Sequence, residues 1–253
     1  MPAVPIELVL TAHDEEESIG PTIRDFLAAA RRHALDVEIL VAEDGSSDRT
    51  REVVAEVAEQ SGRRVRLTPA SERKGYSRAV TDAYRLARRD VVVCCDGDDQ
   101  YDPDDIAALC AALSPGTVVA GARSARRDPW PRRLASWAFG CVYRGLLPVR
   151  MQDPSSPFVA AFRPDVLRIL PASPRLPQGF WWEFFARADA AGLRIVEVPV
   201  EHRRRDGPTR VYRPLRMPRI ALVHVSGVIG LRRELAATAT AARAPSTAVT
   251  EPR

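Results

Sequence analysis

The densest group of chemically useful side chains lies in VVVCCDGDDQYDPDD, residues 91–105. Five apolar residues run into six acids within ten positions. Carboxylates this close repel one another unless a cation sits between them. Asp96 and Asp98 stand two apart, followed by Asp99 and Gln100. Hard oxygen donors at this spacing suit Mg²⁺ or Mn²⁺, which keeps several waters and takes one or two carboxylates plus phosphate oxygens. Asp96, Asp98 and Gln100 are therefore candidate metal ligands. A solvated acidic turn, capping a helix that starts near Pro103, fits the charge pattern as well. A calcium loop of EF-hand type does not. Its sixth and twelfth positions call for Gly and Glu, and here they are Tyr101 and Ala107.

Other stretches carry single signals. In EDGSSD (43–48), Asp44 could accept hydrogen bonds from a nucleobase, with Gly45 allowing a tight turn. Ser46, Ser47 and Asp48 are equally good helix caps. Lys74 and Gly75 in ERKGYSRA open a helix, where a phosphate or sugar could sit. MQDPSSPF places a lone carboxylate, Asp153, before Pro154. Arginines crowd at 123–133 and 203–219. Guanidinium groups match phosphate oxygens in a two-pronged geometry that ammonium groups lack. These basic runs lack the interleaved aromatics of a single-strand binder, and no nucleic-acid-binding motif is present.

The elements that must position these groups follow an alternation. PIELVLTAH, VEILVAE, RVRLTPA and VVVCCD read as buried strands. Between them lie helical stretches, the first of which, DEEESIGPTIRDFLAAARRH, offers acids to the helix dipole of its first turn. Strand–helix alternation predicts βαβ units, a parallel sheet and helices on both faces. Ligands then bind beyond the carboxyl ends of the strands. AHDEEE, EDGSSD and DGDDQ each fall at such an end, so they form one site. Further along, TVVAGAR and LRIVEVPV read as strands, and SSPFVAAF as an extended segment. PWPRRLASWAFGCVYRGLL reads as a helix with aromatics on one side and arginines on the other. Short helices are expected near 164–170 and 180–191. IALVHVSGVIGL, about twelve residues, is too short to cross a bilayer. Residues 235–253, rich in Ala, Thr and Pro, read as a disordered tail.

With 253 residues, 45% of them hydrophobic, the chain can bury a full core. No segment has signal-peptide character. Cys94 and Cys95 read as small core residues of a protein kept in a reducing compartment.

In order, these stretches resemble the family 2 glycosyltransferases of the GT-A fold, most closely the dolichol-phosphate mannosyltransferase-like, polyprenyl-phosphate branch. LTAHDEEESI is similar to the family's opening motif and VAEDGSSDRT to its nucleotide-binding motif. RKGYSRAVTDAYRLARRDVVVCCDGDDQYDP resembles the KG helix running into the metal-binding DxD. GAR, RRLAS, QDPSSPFVAAFRPDVL and EVPVEHRRRDGPTR follow in sequence order. The likeness spans roughly residues 5 to 213 and implies an α/β fold with a mostly parallel, Rossmann-like sheet. It divides the chain into a catalytic domain (1–213), an amphipathic helix (214–234) that lies in an interface or packs on the core, and the tail.

The resemblance also implies roles. Thr11, His13 and Glu15 would line the nucleotide pocket, and Asp44 would read the base. Lys74 would meet the ligand. Asp96, Asp98 and Gln100 would surround the metal and diphosphate. Arg123, Arg132 and Ser136 would bind the phosphate of the acceptor lipid. Arg204 would close over the phosphates, with Thr209 and Arg210 beside it. The implied reaction moves a sugar, mannose or glucose, from a nucleotide-diphosphate sugar to a polyprenyl phosphate, on the cytoplasmic side at the inner face of a membrane. TAHDEE, Glu43, PSSPF and GPTR depart from the family's usual residues, which puts the donor base and the acceptor fit in question. A phosphate acceptor is already ionised and needs no general base; a hydroxyl acceptor would, and Asp153 is then the candidate. A metal-dependent phosphohydrolase using an aspartyl nucleophile, or a non-catalytic nucleotide-sugar binding module, are the remaining alternatives.

Overall fold

A computed structural model describes residues 4–68, 70–123, 130–177, 179–203 and 217–243, without the side chains of 130–136, 217–220, 239 and 241–243. Four strand–helix units come first: β1 (Ile6–Ala12), α1 (Ile19–Arg32), β2 (Val37–Glu43), α2 (Thr50–Gln60), β3 (Val65–Thr68), α3 (Tyr76–Leu86), β4 (Val91–Asp96) and α4 (Asp105–Ala111). Then come β5 (Thr117–Arg123), α5 (Trp130–Leu146), β6 (Val159–Phe162), α6 (Arg163–Ile169), α7 (Phe180–Ala190), β7 (Arg194–Val200) and α8 (Met217–Arg243).

The seven strands form one sheet in the order β3-β2-β1-β4-β6-β5-β7. All run parallel except β6, which is antiparallel to β4 and β5. The near-continuous apolar runs of β1, β2 and β4 follow from this placement, because central parallel strands are covered on both faces. One face packs α1, α2 and α4 through Ile23, Phe26, Val54 and Ile106. The other packs α3, α5, α6, α7 and α8 around Tyr84, Tyr143, Phe180, Phe184 and Val228. Tyr84 and Phe184 stack at 6.1 Å, and Phe180 meets Trp181 edge to face at 4.9 Å. Cys94 and Cys95 are free and wholly buried, one on each face.

Three local expectations change. α1 begins at Ile19, so the acids of DEEE precede the helix instead of occupying its first turn. The C-terminal helix runs 27 residues to Arg243, beyond the expected end at 234, so residues 235–243 are helical. It packs on the core through Val228 and Leu231. On α5 the aromatics are not confined to one side: Tyr143 is buried, whereas Trp137 is 63% exposed.

Candidate functional site

The direction of strand addition reverses between β1 and β4, and in open α/β sheets such a switch point, beyond the carboxyl ends of the strands, is where ligands bind. Thr11 and Asp96 face each other in register across that point. The Thr11 hydroxyl donates to Asp96 Oδ1 at 2.8 Å. The same oxygen accepts the Tyr76 hydroxyl at 2.9 Å, and Trp181 Nε1 donates to Tyr76 Oη at 2.8 Å. Burial first, then the Asp96 charge, pushes the Tyr76 phenol well above its ordinary range. It therefore keeps its proton and acts as a donor. The Asp96 carboxylate is thus aimed by groups on β1, α3 and α7. Gly97 follows, and a Cβ there would lie 2.8 Å from the Thr11 carbonyl oxygen and 2.7 Å from Ile19. Only a bare backbone lets the chain turn between the two aspartates.

The end of β2 is held as tightly. Burial alone would raise the pKa of Glu43, but hydrogen bonds from Ser46, from the Ala70 amide at 3.2 Å and from Arg51 Nε at 2.9 Å outweigh it and bring it below the usual range. Asp44 Oδ1 accepts the Lys74 amide at 2.7 Å and the Gly75 amide at 3.0 Å. Gly45 has φ +66°, and a Cβ there would come within 2.5 Å of the Arg73 nitrogen. The turn after β2 and the loop before α3 are therefore one locked unit. Lys74 turns its ammonium to Asp82, 2.9 Å away on α3.

The acids before α1 serve as ties between loops. Asp14 Oδ1 accepts the Ser47 amide at 2.7 Å, and Glu16 Oε2 accepts the Arg49 amide at 3.0 Å. In return Asp48 Oδ2 accepts the Glu16 amide at 3.2 Å, and Thr50 Oγ1 accepts the Glu15 amide at 2.8 Å. His13 Nε2 lies 3.6 Å from Asp14. Ser18 Oγ bridges Glu15 Oε2 at 2.9 Å and the Gly97 carbonyl at 3.2 Å, which joins this loop to the one bearing Asp98.

Gln100 is clasped to the segment after β7. Its side-chain amide donates to the Arg203 carbonyl at 3.1 Å, and its backbone carbonyl accepts the Arg203 amide at 2.7 Å. Beside it Tyr101 bridges His202, with their rings 5.1 Å apart. On the far side of β6, Arg123 and Asp153 form a two-pronged pair at 2.6 and 2.8 Å, each side chain only 8% exposed. Ser155 bonds to both. The Gln152 and Asp153 amides donate to Glu197 on β7. The structure thus binds to each other two residues expected to have separate duties. Arg204, Thr209 and Arg210, and the side chains of Arg132 and Ser136, lie outside the described residues.

Four contributors escape the sequence reading. Tyr76 and Trp181 pass for helix core, and Glu43 reads only as a departure from the family's usual residue. Glu183 accepts the Arg175 and Leu176 amides at 2.7 and 3.0 Å and the Arg187 side chain at 2.8 Å. It fixes the loop from which α7 carries Trp181 inward. The arrangement sets the Asp96 carboxylate at the switch point, with Asp98 two residues beyond it. No group of three or more His, Cys, Asp or Glu able to hold a metal occurs among the described residues. A cation held there would take its remaining ligands from bound substrate and water, the usual situation for Mg²⁺ beside phosphates.

Residues 7–170 match the model of glycosyl transferase family 2. The chain belongs to that family. This membership sets aside the phosphohydrolase alternative. Among curated family 2 relatives, the undecaprenyl-phosphate 4-deoxy-4-formamido-L-arabinose transferase of Edwardsiella ictaluri is 27% identical over 206 residues, which cover 79% of this chain and 61% of the relative. The enzyme of that name from an Enterobacter species is 31% identical over 52% of this chain and 40% of its own length. The chain thus spans less than two thirds of these relatives. In fold, it is similar to the Mycobacterium tuberculosis glucosyl-3-phosphoglycerate synthase bound to UDP, with TM-score 0.65 and 21% identity over 91% of this chain and 80% of the other. The Rubrobacter xylanophilus mannosyl-3-phosphoglycerate synthase gives TM-score 0.66 and 18% identity over 98% of this chain and 79% of the other. The family 2 chain has the mostly parallel sheet expected of the GT-A fold.

Proposed function

We propose that this glycosyltransferase moves a sugar from a UDP-linked donor to a polyprenyl phosphate. The observation that carries the reading is the Asp96 carboxylate, aimed by Thr11 and Tyr76 at the switch point and followed across Gly97 by Asp98. Asp96 and Asp98 would hold Mg²⁺ or Mn²⁺. Gln100, whose amide nitrogen serves the Arg203 carbonyl, can offer such an ion only its side-chain oxygen. When bound, the ion would neutralise charge on the departing diphosphate. A related fold has been crystallised with Mn²⁺ and UDP-glucose, which supports both the metal and the base. The names of the curated relatives support an undecaprenyl phosphate acceptor and widen the sugar beyond mannose and glucose.

The residues of the chain divide the remaining work. Thr11, His13 and Glu15 line the donor side, and the locked unit around Asp44 presents the edge against which a base would lie. Arg123 stands on the acceptor side but is already held by Asp153, so the acceptor phosphate falls to the proposed Arg132, Ser136, Arg204, Thr209 and Arg210. The hydroxyl-acceptor alternative fares worse. Asp153 would have to break a buried two-pronged ion pair before it could take a proton. The lipid acceptor places the enzyme at a membrane surface. Among the described residues, no helix is long and apolar enough to cross a membrane.

Calorimetric titration with UDP, GDP and their sugars, first with Mn²⁺ and then with EDTA, tests the donor half. Binding of UDP that requires metal is expected; equal binding in EDTA would refute the role of the aspartates. Transfer from the bound donor to a short, water-soluble polyprenyl phosphate tests the acceptor half.

A further inference from the structure

Eight large hydrophobic side chains are exposed among the described residues, and five of them, Trp137, Val142, Leu222, Val223 and Ile229, lie on the packed pair α5 and α8. Trp137 is 63% and Leu222 70% exposed. Each helix repeats one arrangement. On α5, Trp137 is followed seven residues later by exposed Arg144; on α8, Leu222 and Ile229 are seven apart, with exposed Arg233 four further on. Residues at these spacings share a helix face. Apolar and cationic side chains thus stand together on the outside of both helices.

The charge on this pair has one sign. The α5 sequence contains no acid, and α8 contains one, Glu234. Glu234 is partly exposed, but its charge is offset by Arg187 at 2.9 Å and by Arg175. Arg232 and Arg233 beside it point to solvent. A surface of tryptophan and aliphatic residues with arginines, whose one acid is already paired with two arginines, complements an anionic phospholipid surface: the rings and aliphatic groups enter the headgroup boundary while the guanidinium groups meet the phosphates. Two copies of this face would instead set arginine against arginine.

We propose that the outer face of α5 and α8 docks on an anionic phospholipid bilayer. This deepens the lipid-acceptor reading and rests on it for its purpose. The geometry connects the two. The Tyr143 hydroxyl on α5 donates to the Trp182 carbonyl at 2.8 Å, and the adjacent Trp181 reaches Asp96 through Tyr76. One helix layer separates the docking face from the aspartate.

The test is co-sedimentation of the full chain with phosphatidylcholine vesicles, with and without phosphatidylglycerol, in the absence of donor, metal and acceptor. Binding to the anionic vesicles alone, weakened by salt, is expected. Leu222→Glu or Trp137→Glu should lower it about tenfold or more, with the melting temperature and UDP binding unchanged. Arg232→Ala and Arg233→Ala should each lower it about fivefold. Absence of binding to anionic vesicles, or binding that these variants leave intact, would overturn the proposal. So would a concentration-dependent dimer that Leu222→Glu dissociates, since the face would then join two copies. Failure of the acceptor reading is seen separately, as absent transfer to the water-soluble acceptor by a chain that still binds vesicles.

Discussion

The Tyr76 hydroxyl donates a hydrogen bond to Asp96 Oδ1 at 2.9 Å and accepts one from Trp181 Nε1 at 2.8 Å. The aspartate proposed to hold the metal is therefore oriented by a two-step aromatic relay from α7. Groups in this position usually govern metal affinity by fixing the ligand's rotamer. Tyr76→Phe should weaken Mn²⁺ binding about tenfold, read by electron paramagnetic resonance of free Mn²⁺. It should also cost about 1–2 kcal/mol in urea unfolding, because it strands the Trp181 N–H. In Tyr76→Phe/Trp181→Phe the stability should partly return while the metal affinity does not. Recovery of both would make the relay a packing device.

The Arg123–Asp153 pair yields a second expectation. Removing one partner of a buried ion pair leaves the other charge uncompensated, at about 3–5 kcal/mol. Arg123→Ala and Asp153→Asn should each destabilise the fold on that scale. Arg123→Met/Asp153→Leu should restore much of the loss. Were Asp153→Asn to leave urea unfolding unchanged and abolish only turnover, Asp153 would be a base and not a structural partner.

At the opposite end of the sheet, Arg89 bonds to Asp36 at 2.7 Å and to Glu38. These bonds, more than the opposing effect of burial, hold both carboxyls below their usual range. A carboxylate with a depressed pKa adds stability that is present above its unfolded pKa and lost as pH falls through the folded one. The melting temperature should thus decline as pH drops below about 4 to 4.5. Arg89→Ala should flatten that decline. At neutral pH it should cost only about 1 kcal/mol, because both acids are partly solvated.

Much of this was legible in the sequence, and the reasons are local. The apolar runs of β1, β2 and β4 alternate with helices at short range, and DGD announces itself by charge. What stayed hidden depends on distance along the chain. Trp181 meets Tyr76 across 105 residues, and Asp153 meets Arg123 across 30. Each of these residues, read alone, has an ordinary explanation as core or as phosphate binder. The acids of DEEE misled for the same reason. Their partners, Ser47 and Arg49, lie on the next loop, and nothing in the stretch itself shows that pairing.

β6 has a consequence for how the two halves of the reaction are spaced. It is four residues long, and the sheet's hydrogen bonding between the block β3-β2-β1-β4 and the pair β5-β7 passes through it. Asp96 ends the strand on one side of it, and Arg123 ends the strand on the other. Two strand spacings, about 10 Å, therefore separate the strands that end on the proposed donor and acceptor sides. β6 works as a gauge block: its width is fixed by backbone geometry, so side-chain changes around the switch point can alter what is bound without altering how far apart the two strands stand.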